Sequence, residues 1–75
     1  MQIHIGHLIR DELRRQGHTN EWLADQIGVT PRTLQRIYNK PSIDTHLLLR
    51  ISQTLRTDLF HPYSQTLSTM TDVVV

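Results

Sequence analysis

Long polar side chains recur three and four residues apart between Pro31 and Lys40, and most of them carry hydrogen-bond donors. On a helix, residues with this spacing share one face. An arginine there can donate two hydrogen bonds to guanine in the major groove of DNA, and a glutamine can pair with adenine. The spacing therefore predicts a helix face that contacts DNA, formed by Arg32, Gln35, Arg36, Asn39 and Lys40.

The two ends of this face predict different contacts. Arg32 and Gln35 lie near the helix start, from which recognition helices contact base edges. Arg36, Asn39 and Lys40 are expected to meet phosphates, which position a protein on DNA without reading its sequence. The alternative for all five is an ordinary solvated helix surface.

Shorter or partly apolar residues complete the predicted contact set. Thr30 is a good N-cap and Pro31 suits the first helical position. Thr30 and Thr33 are short enough to let the helix approach DNA closely, and a phosphate contact is an alternative for the Thr30 hydroxyl. Tyr38 lies next to Leu34 on the helix, so we expect it partly in the core, with its hydroxyl directed at a phosphate as the alternative.

The charge distribution supports the same segment. The net charge of the chain is only +1, but no acidic residue occurs from Val29 to Ile43, where Arg32, Arg36 and Lys40 fall. A local excess of basic residues is the electrostatic signature of nucleic-acid binding. Double-stranded DNA is therefore the expected partner.

Composition excludes several other classes. The 75 residues suffice for one domain and contain no cysteine, so disulfides, thiolate chemistry and cysteine-based zinc sites are ruled out. No segment is apolar over the roughly 20 residues that a bilayer span needs. We find no phosphate-binding glycine loop or nucleophile elbow. His4, His7 and His18 lack the partners of a closed metal site. We expect a cytoplasmic protein without catalytic residues, metal, cofactor or membrane partner.

Hydrophobic periodicity predicts an all-α fold, a compact bundle of four to five short helices. Gly17 and Gly28 are expected to separate the first three in the left-handed conformation. The tail is rich in Ser, Thr and Val, so we expect it to be disordered or strand-like. The predicted division is a domain at 1–63 and a tail at 64–75. Within the domain the expected elements are Ile3–Gln16, a helix capped by Thr19 or Asn20 that ends near Ile27, Pro31–Asn39, a helix capped by Asp44, and a last helical turn at 58–60 before Pro62.

The segment from Asn20 to Ile37 resembles the helix-turn-helix of Cro/lambda-repressor-like (XRE) proteins. Its first helix has the apolar–small pair Leu23–Ala24, and apolar residues flank the turn glycine. The stretch PSIDTHLLLRISQTL is similar to the fourth helix of that family, and the resemblance extends from Ile5 to about Phe60. The remaining matching positions are Ile27, Gly28, Val29, Leu34 and Ile37.

The resemblance implies sequence-specific DNA binding by a transcriptional regulator, commonly a homodimer on two half-sites. Asn20 stands where the family commonly has a glutamine that holds a phosphate. The family often has a glycine just after the recognition helix, where this chain has Asn39. Asn39 is therefore expected to adopt a left-handed conformation in its place. Candidate dimer surfaces are the fourth helix, Leu59, Phe60 and the valine tail. The family also includes antitoxins, so the alternative is a protein-interaction module whose tail, residues 64–75, binds a partner protein.

Overall fold

The computed structural model describes residues 2–69, which form five short helices and contain no strand. The all-α fold predicted from the sequence is confirmed. In chain order the helices are α1 (Ile5–Gln16), α2 (Asn20–Ile27), α3 (Pro31–Tyr38), α4 (Thr45–Leu55) and α5 (His61–Ser68).

Predicted capping side chains begin three of these helices: Thr19 caps α2, Thr30 caps α3 and Asp44 caps α4. Thr19 rather than Asn20 caps α2, since its Oγ1 accepts a hydrogen bond from the Trp22 amide at 3.1 Å. Asp44 caps α4 in the same way, with its Oδ1 2.8 Å from the Leu47 amide. Helix α1 begins at Ile5 instead of the expected Ile3, because His4 lies in extended conformation and serves as the N-cap.

The two predicted glycine stops are confirmed. Gly17 ends α1 with φ 78° and Gly28 ends α2 with φ 75°. A residue with a β-carbon is strained in this left-handed region, whereas glycine adopts it freely. Each turn is therefore only a few residues long, and α2 and α3 are held in immediate succession.

One hydrophobic core joins the first four helices. Helix α3 packs against α1 and α2, and α4 also packs against both of these helices. Burying a Leu or Ile side chain contributes about 1.5–3 kcal/mol, so the buried apolar side chains supply most of the driving force for folding. The largest fully buried side chains are Ile5, Ile9, Leu13, Leu23, Ile27, Leu34 and Ile51.

The N-terminal end of α1 lies directly on the C-terminal end of α3. The amides of Ile5 and Gly6 donate to the carbonyls of Pro41 and Lys40, at 2.9 and 3.0 Å. A β-carbon added to Gly6 would lie 2.5 Å from the carbonyl oxygen of Ile37. Only a residue without a side chain allows this approach, so Gly6 fixes how deeply α3 is seated.

A polar cluster ties the other end of α1 to the end of α4. Gln16 Nε2 donates to the Leu55 carbonyl at 2.8 Å and to Glu12 Oε2 at 2.7 Å. Thr57 Oγ1 donates to the same carboxylate at 3.1 Å. The Glu12 side chain is 15% exposed and is also paired with Arg15. The Arg15 hydrogen bonds, assisted by those of Gln16 and Thr57, lower the pKa of Glu12 to about 2.

The tail differs from its expected conformation. Residues 64–68 are helical, as part of α5, so the disordered or strand-like state predicted from Ser64 onward is wrong for them. The expected turn at 58–60 is not helical, and Pro62 lies in the first turn of α5 instead of following a helix. Proline is well tolerated there because that turn has no intrahelical partners for its amides. Residues 70–75 lie outside the described residues, and a partner-pairing tail stays a prediction.

Across residues 2–69, no helix has the length and apolar character needed to cross a membrane.

We expect Gly6→Ala to destabilise the fold by at least about 2 kcal/mol, because the added methyl group overlaps the α3 backbone. Gly17→Ala is the matched control, since its β-carbon would meet nothing within 4 Å. There only left-handed strain remains, roughly 1–2 kcal/mol. Urea denaturation measures both variants. Equal losses would contradict the tight contact at Gly6.

We expect acid to weaken the fold through Glu12. Its folded pKa of about 2 lies below the ordinary 4.5, so its stabilising contribution is present above pH 4.5 and is lost as the pH falls towards 2. Glu12→Gln should flatten the pH dependence of unfolding free energy in this window, as measured by urea denaturation at several pH values. An unchanged pH dependence would show that the carboxylate is not stabilised by its neighbours.

Candidate nucleic-acid interface

Helix α3 divides into a buried face and an exposed face. Leu34, Ile37 and Tyr38 lie in the core, as the amphipathic pattern predicted for the first two. The opposite face is exposed along the whole length of α3. Its exposed members are Pro31, Arg32, Gln35 and Arg36, followed by Asn39 and Lys40 just beyond the helix.

The hydroxyls at the start of α3 are already engaged. Thr30 Oγ1 accepts from the Thr33 amide at 3.1 Å and donates to Thr33 Oγ1 at 3.1 Å. The predicted N-cap is therefore confirmed. Thr33 is half-buried, so the two threonines shape the start of the helix and leave the long side chains as its most accessible groups.

The exposed face of α3 keeps its donors available. Within residues 2–69, neither Arg32 nor Arg36 forms an ion pair or a side-chain hydrogen bond, whereas Arg15 is paired with Glu12 and Arg10 with Asp11. Guanidinium groups without an intramolecular acceptor present all their N–H donors to a ligand. This face is thus suited to acceptors such as base edges or phosphate oxygens.

The turn between α2 and α3 is held from outside. Arg50 of α4 donates from Nη2 to the Ile27 carbonyl at 2.8 Å, next to the left-handed Gly28. That carbonyl belongs to the last turn of α2, whose carbonyls have no amide donor within their own helix. Sequence reasoning missed Arg50, because the contact joins residues far apart in the chain and no local pattern indicates it.

Asn39 does not adopt the conformation expected for it. Its φ of −88° and ψ of 0° are right-handed, so the prediction of a left-handed Asn39 is wrong. The last turn of α3 is instead closed by the amides of Asn39 and Lys40, which donate to the carbonyls of Arg36 and Ile37 at 3.1 and 3.0 Å. A left-handed residue is unnecessary here, and the exposed Asn39 and Lys40 side chains extend the outer face.

Tyr38 and Asn20 are brought together, although they were predicted as separate contacts. Tyr38 is 4% exposed, and its hydroxyl donates to Asn20 Oδ1 at 2.8 Å. Burial raises the pKa of Tyr38, while Arg14 and Arg10 oppose this in part. Arg10 and Arg14, two of the three arginines of α1, therefore act on the phenol electrostatically. Sequence reasoning omitted them from the site, because the contact of α1 with α3 joins residues far apart in the chain and no local pattern indicates it.

A groove of about 820 Å³ lies between the start of α1 and α5. The rings of His4 and His7 stack on its wall with centroids 3.6 Å apart. In the described part of the chain, no three His, Asp or Glu side chains are grouped so as to hold a metal ion. The groove lining contains no Asp, Glu, Lys or Arg side chain. It consists of Gln2, Ile3, His4, His7, Leu8, Pro62, Gln65, Thr66 and Thr69.

Comparison with protein families decides what this arrangement is. A family model described as helix-turn-helix matches residues 9–61, which is well over half of the chain and spans α2, the Gly28 turn and α3. The chain belongs to the Cro/lambda-repressor-like helix-turn-helix family. Searches of curated proteins and of solved structures found no significant match.

Membership of this helix-turn-helix family identifies α2 and α3 as the two helices of the motif. The family is one of DNA-binding transcription regulators and is not typically enzymatic. In a helix-turn-helix the second helix of the motif is the one that enters the major groove. In this chain the second helix of the motif is α3, with α2 as the preceding helix.

Proposed function

We propose that this protein binds DNA sequence-specifically as a transcriptional regulator, by inserting the segment 31–39 into the major groove. The observation that carries the proposal is the outer face of α3, where Arg32, Gln35 and Arg36 are exposed. Both guanidinium groups lack acceptors within residues 2–69. Membership of a DNA-binding family supports the same reading.

The spacing on α3 suggests which contacts read bases. Arg32 and Gln35 are three residues apart, which is about 4.5 Å along the axis at 1.5 Å per residue. A base pair rises about 3.4 Å, so the two side chains reach positions roughly one base pair apart. Arg32 and Gln35, nearer the start of α3, are the proposed base-reading pair, and each good bidentate contact gives about 1–3 kcal/mol of discrimination.

The remaining exposed residues are proposed to hold the phosphate backbone. Arg36, Asn39 and Lys40 follow one another at the C-terminal end of the outer face. Thr30, Pro31 and Thr33 form the opposite end, where short side chains leave room for the backbone of DNA. Phosphate contacts fix the register and leave specificity to Arg32 and Gln35.

A homodimer is the proposed binding unit, and α5 is its proposed contact. None of the residues of α5 is buried, and an isolated helix of this length is marginal in water. Leu67 is 62% exposed. The helix and the adjoining groove carry no acidic, Lys or Arg side chain. A second copy can therefore cover this surface without opposing lysine, arginine or carboxylate charges.

One of the candidate dimer surfaces changes with the structure. Leu59 is 3% exposed and belongs to the core, so it is unavailable to a partner. Helix α4 still offers Leu49, which is 45% exposed. The two exposed leucines allow α4 and α5 to be separated by experiment.

We expect selection from a random DNA library to enrich one sequence for the wild-type protein. Arg32→Ala and Gln35→Ala should relax preference at one position each, because each removes a base contact. Lys40→Ala should weaken binding to all sequences and lower the log–log salt slope by about 0.9. Failure of the wild type to enrich any sequence would overturn specific readout.

We expect Leu67→Glu to convert the dimer into monomers, because it places a buried charge at the contact. Leu49→Glu is the matched control and should leave the dimer intact. Sedimentation equilibrium measures both, alongside circular dichroism to verify folding. Dissociation by Leu49→Glu alone would move the contact to α4, and a monomeric wild type would overturn the dimer itself.

A further inference from the structure

The hydroxyl of Tyr38 is a buried polar group with a specific partner. It donates to Asn20 Oδ1 at 2.8 Å, linking the end of α3 to the start of α2. With its oxygen occupied in this way, the Asn20 amide has both Nδ2 hydrogens left to donate. Asn20 is half-buried, so this amide group lies at the edge of the core with one side open to solvent.

The basic residues of α1 run past the same point. Gly6, Arg10 and Arg14 are four residues apart and therefore share one face of the helix. Gly6 lies against the Tyr38 backbone, and Arg14 and Arg10 electrostatically oppose the rise in the pKa of Tyr38 that burial causes. Arg10 is paired with Asp11. Arg14 is exposed and forms no ion pair within residues 2–69.

We propose that Tyr38 is a positioning residue, which fixes the Asn20 side chain so that Nδ2 donates to a DNA phosphate, with Arg14 binding the same stretch of backbone. Tyr38 itself does not touch DNA. This inference rests on the proposed function, because the phosphate is one that α3 brings within reach when it occupies the major groove.

Holding the Asn20 side chain in one rotamer favours binding. A free asparagine side chain populates several rotamers, and fixing one of them costs conformational entropy at the moment of binding. The Tyr38 hydrogen bond removes that cost in advance, which is how preorganisation improves affinity. The contact is to the backbone of DNA, so it raises affinity without changing sequence preference.

A double-mutant cycle on the selected duplex tests the positioning role. Tyr38→Phe removes only the hydroxyl and should weaken binding about three- to tenfold, as expected for one hydrogen bond. Asn20→Ala should weaken binding at least as much. Adding Tyr38→Phe to Asn20→Ala should then cause no further loss, because Tyr38 acts only through Asn20. Sequence preference should be the same in all four proteins.

Ser52→Ala is the matched control for losing a buried hydroxyl. Ser52 Oγ is buried and has no hydrogen-bond partner within the described residues, so its removal should leave DNA affinity unchanged. Additive effects of Tyr38→Phe and Asn20→Ala, or wild-type affinity for either variant, would overturn the proposal. Failure of the wild type to bind any duplex would instead overturn the proposed function.

Two further measurements do not depend on the folding of the Tyr38 variant. In the wild type, the side-chain amide resonances of Asn20 should shift on addition of DNA. Arg14→Gln, on the exposed face of α1, should lower the log–log salt slope by about 0.9. Unshifted Asn20 resonances would overturn the amide–phosphate contact, and an unchanged slope would overturn the part assigned to Arg14.

Discussion

The close approach of α1 to the end of α3 is the contact on which the rest of the structure depends. Gly6 has no side chain, and any β-carbon there would overlap the α3 carbonyls. The first amides of α1 bind carbonyls that follow α3. This contact thus satisfies the backbone at a helix start and sets the depth of α3 in the core, which determines how far its outer face projects.

The arginines divide into structural and available groups according to their surroundings. Arg15 is paired with Glu12, and Arg50 holds the carbonyl before the Gly28 turn. Arg32 and Arg36 lie where the sequence contains no acid, and no acceptor in residues 2–69 engages them. The same side-chain chemistry therefore holds the scaffold in one place and remains free for a ligand in another.

Local chemistry made much of this predictable from sequence. Thr30, Pro31 and Gly28 each act within a few residues, so the bounds of α2 and the start of α3 followed from capping and glycine rules. Contacts between distant segments were not predictable: Gly6 against α3, Arg50 on Ile27, and Tyr38 on Asn20 have no local signature. The prediction of a left-handed Asn39 was wrong, since the amides of Asn39 and Lys40 close the last turn of α3 on the carbonyls of Arg36 and Ile37.

The central claim is that the outer face of α3 meets DNA in the major groove, with Arg32 at base edges and Arg36 at phosphates. Its most direct test is an NMR titration of the protein with its selected duplex, following the Nε–Hε resonances of the arginines. We predict large shifts for Arg32 and Arg36, and small ones for Arg50, which is engaged within the fold. Unshifted Arg32 and Arg36 in a tight, sequence-specific complex would contradict the account.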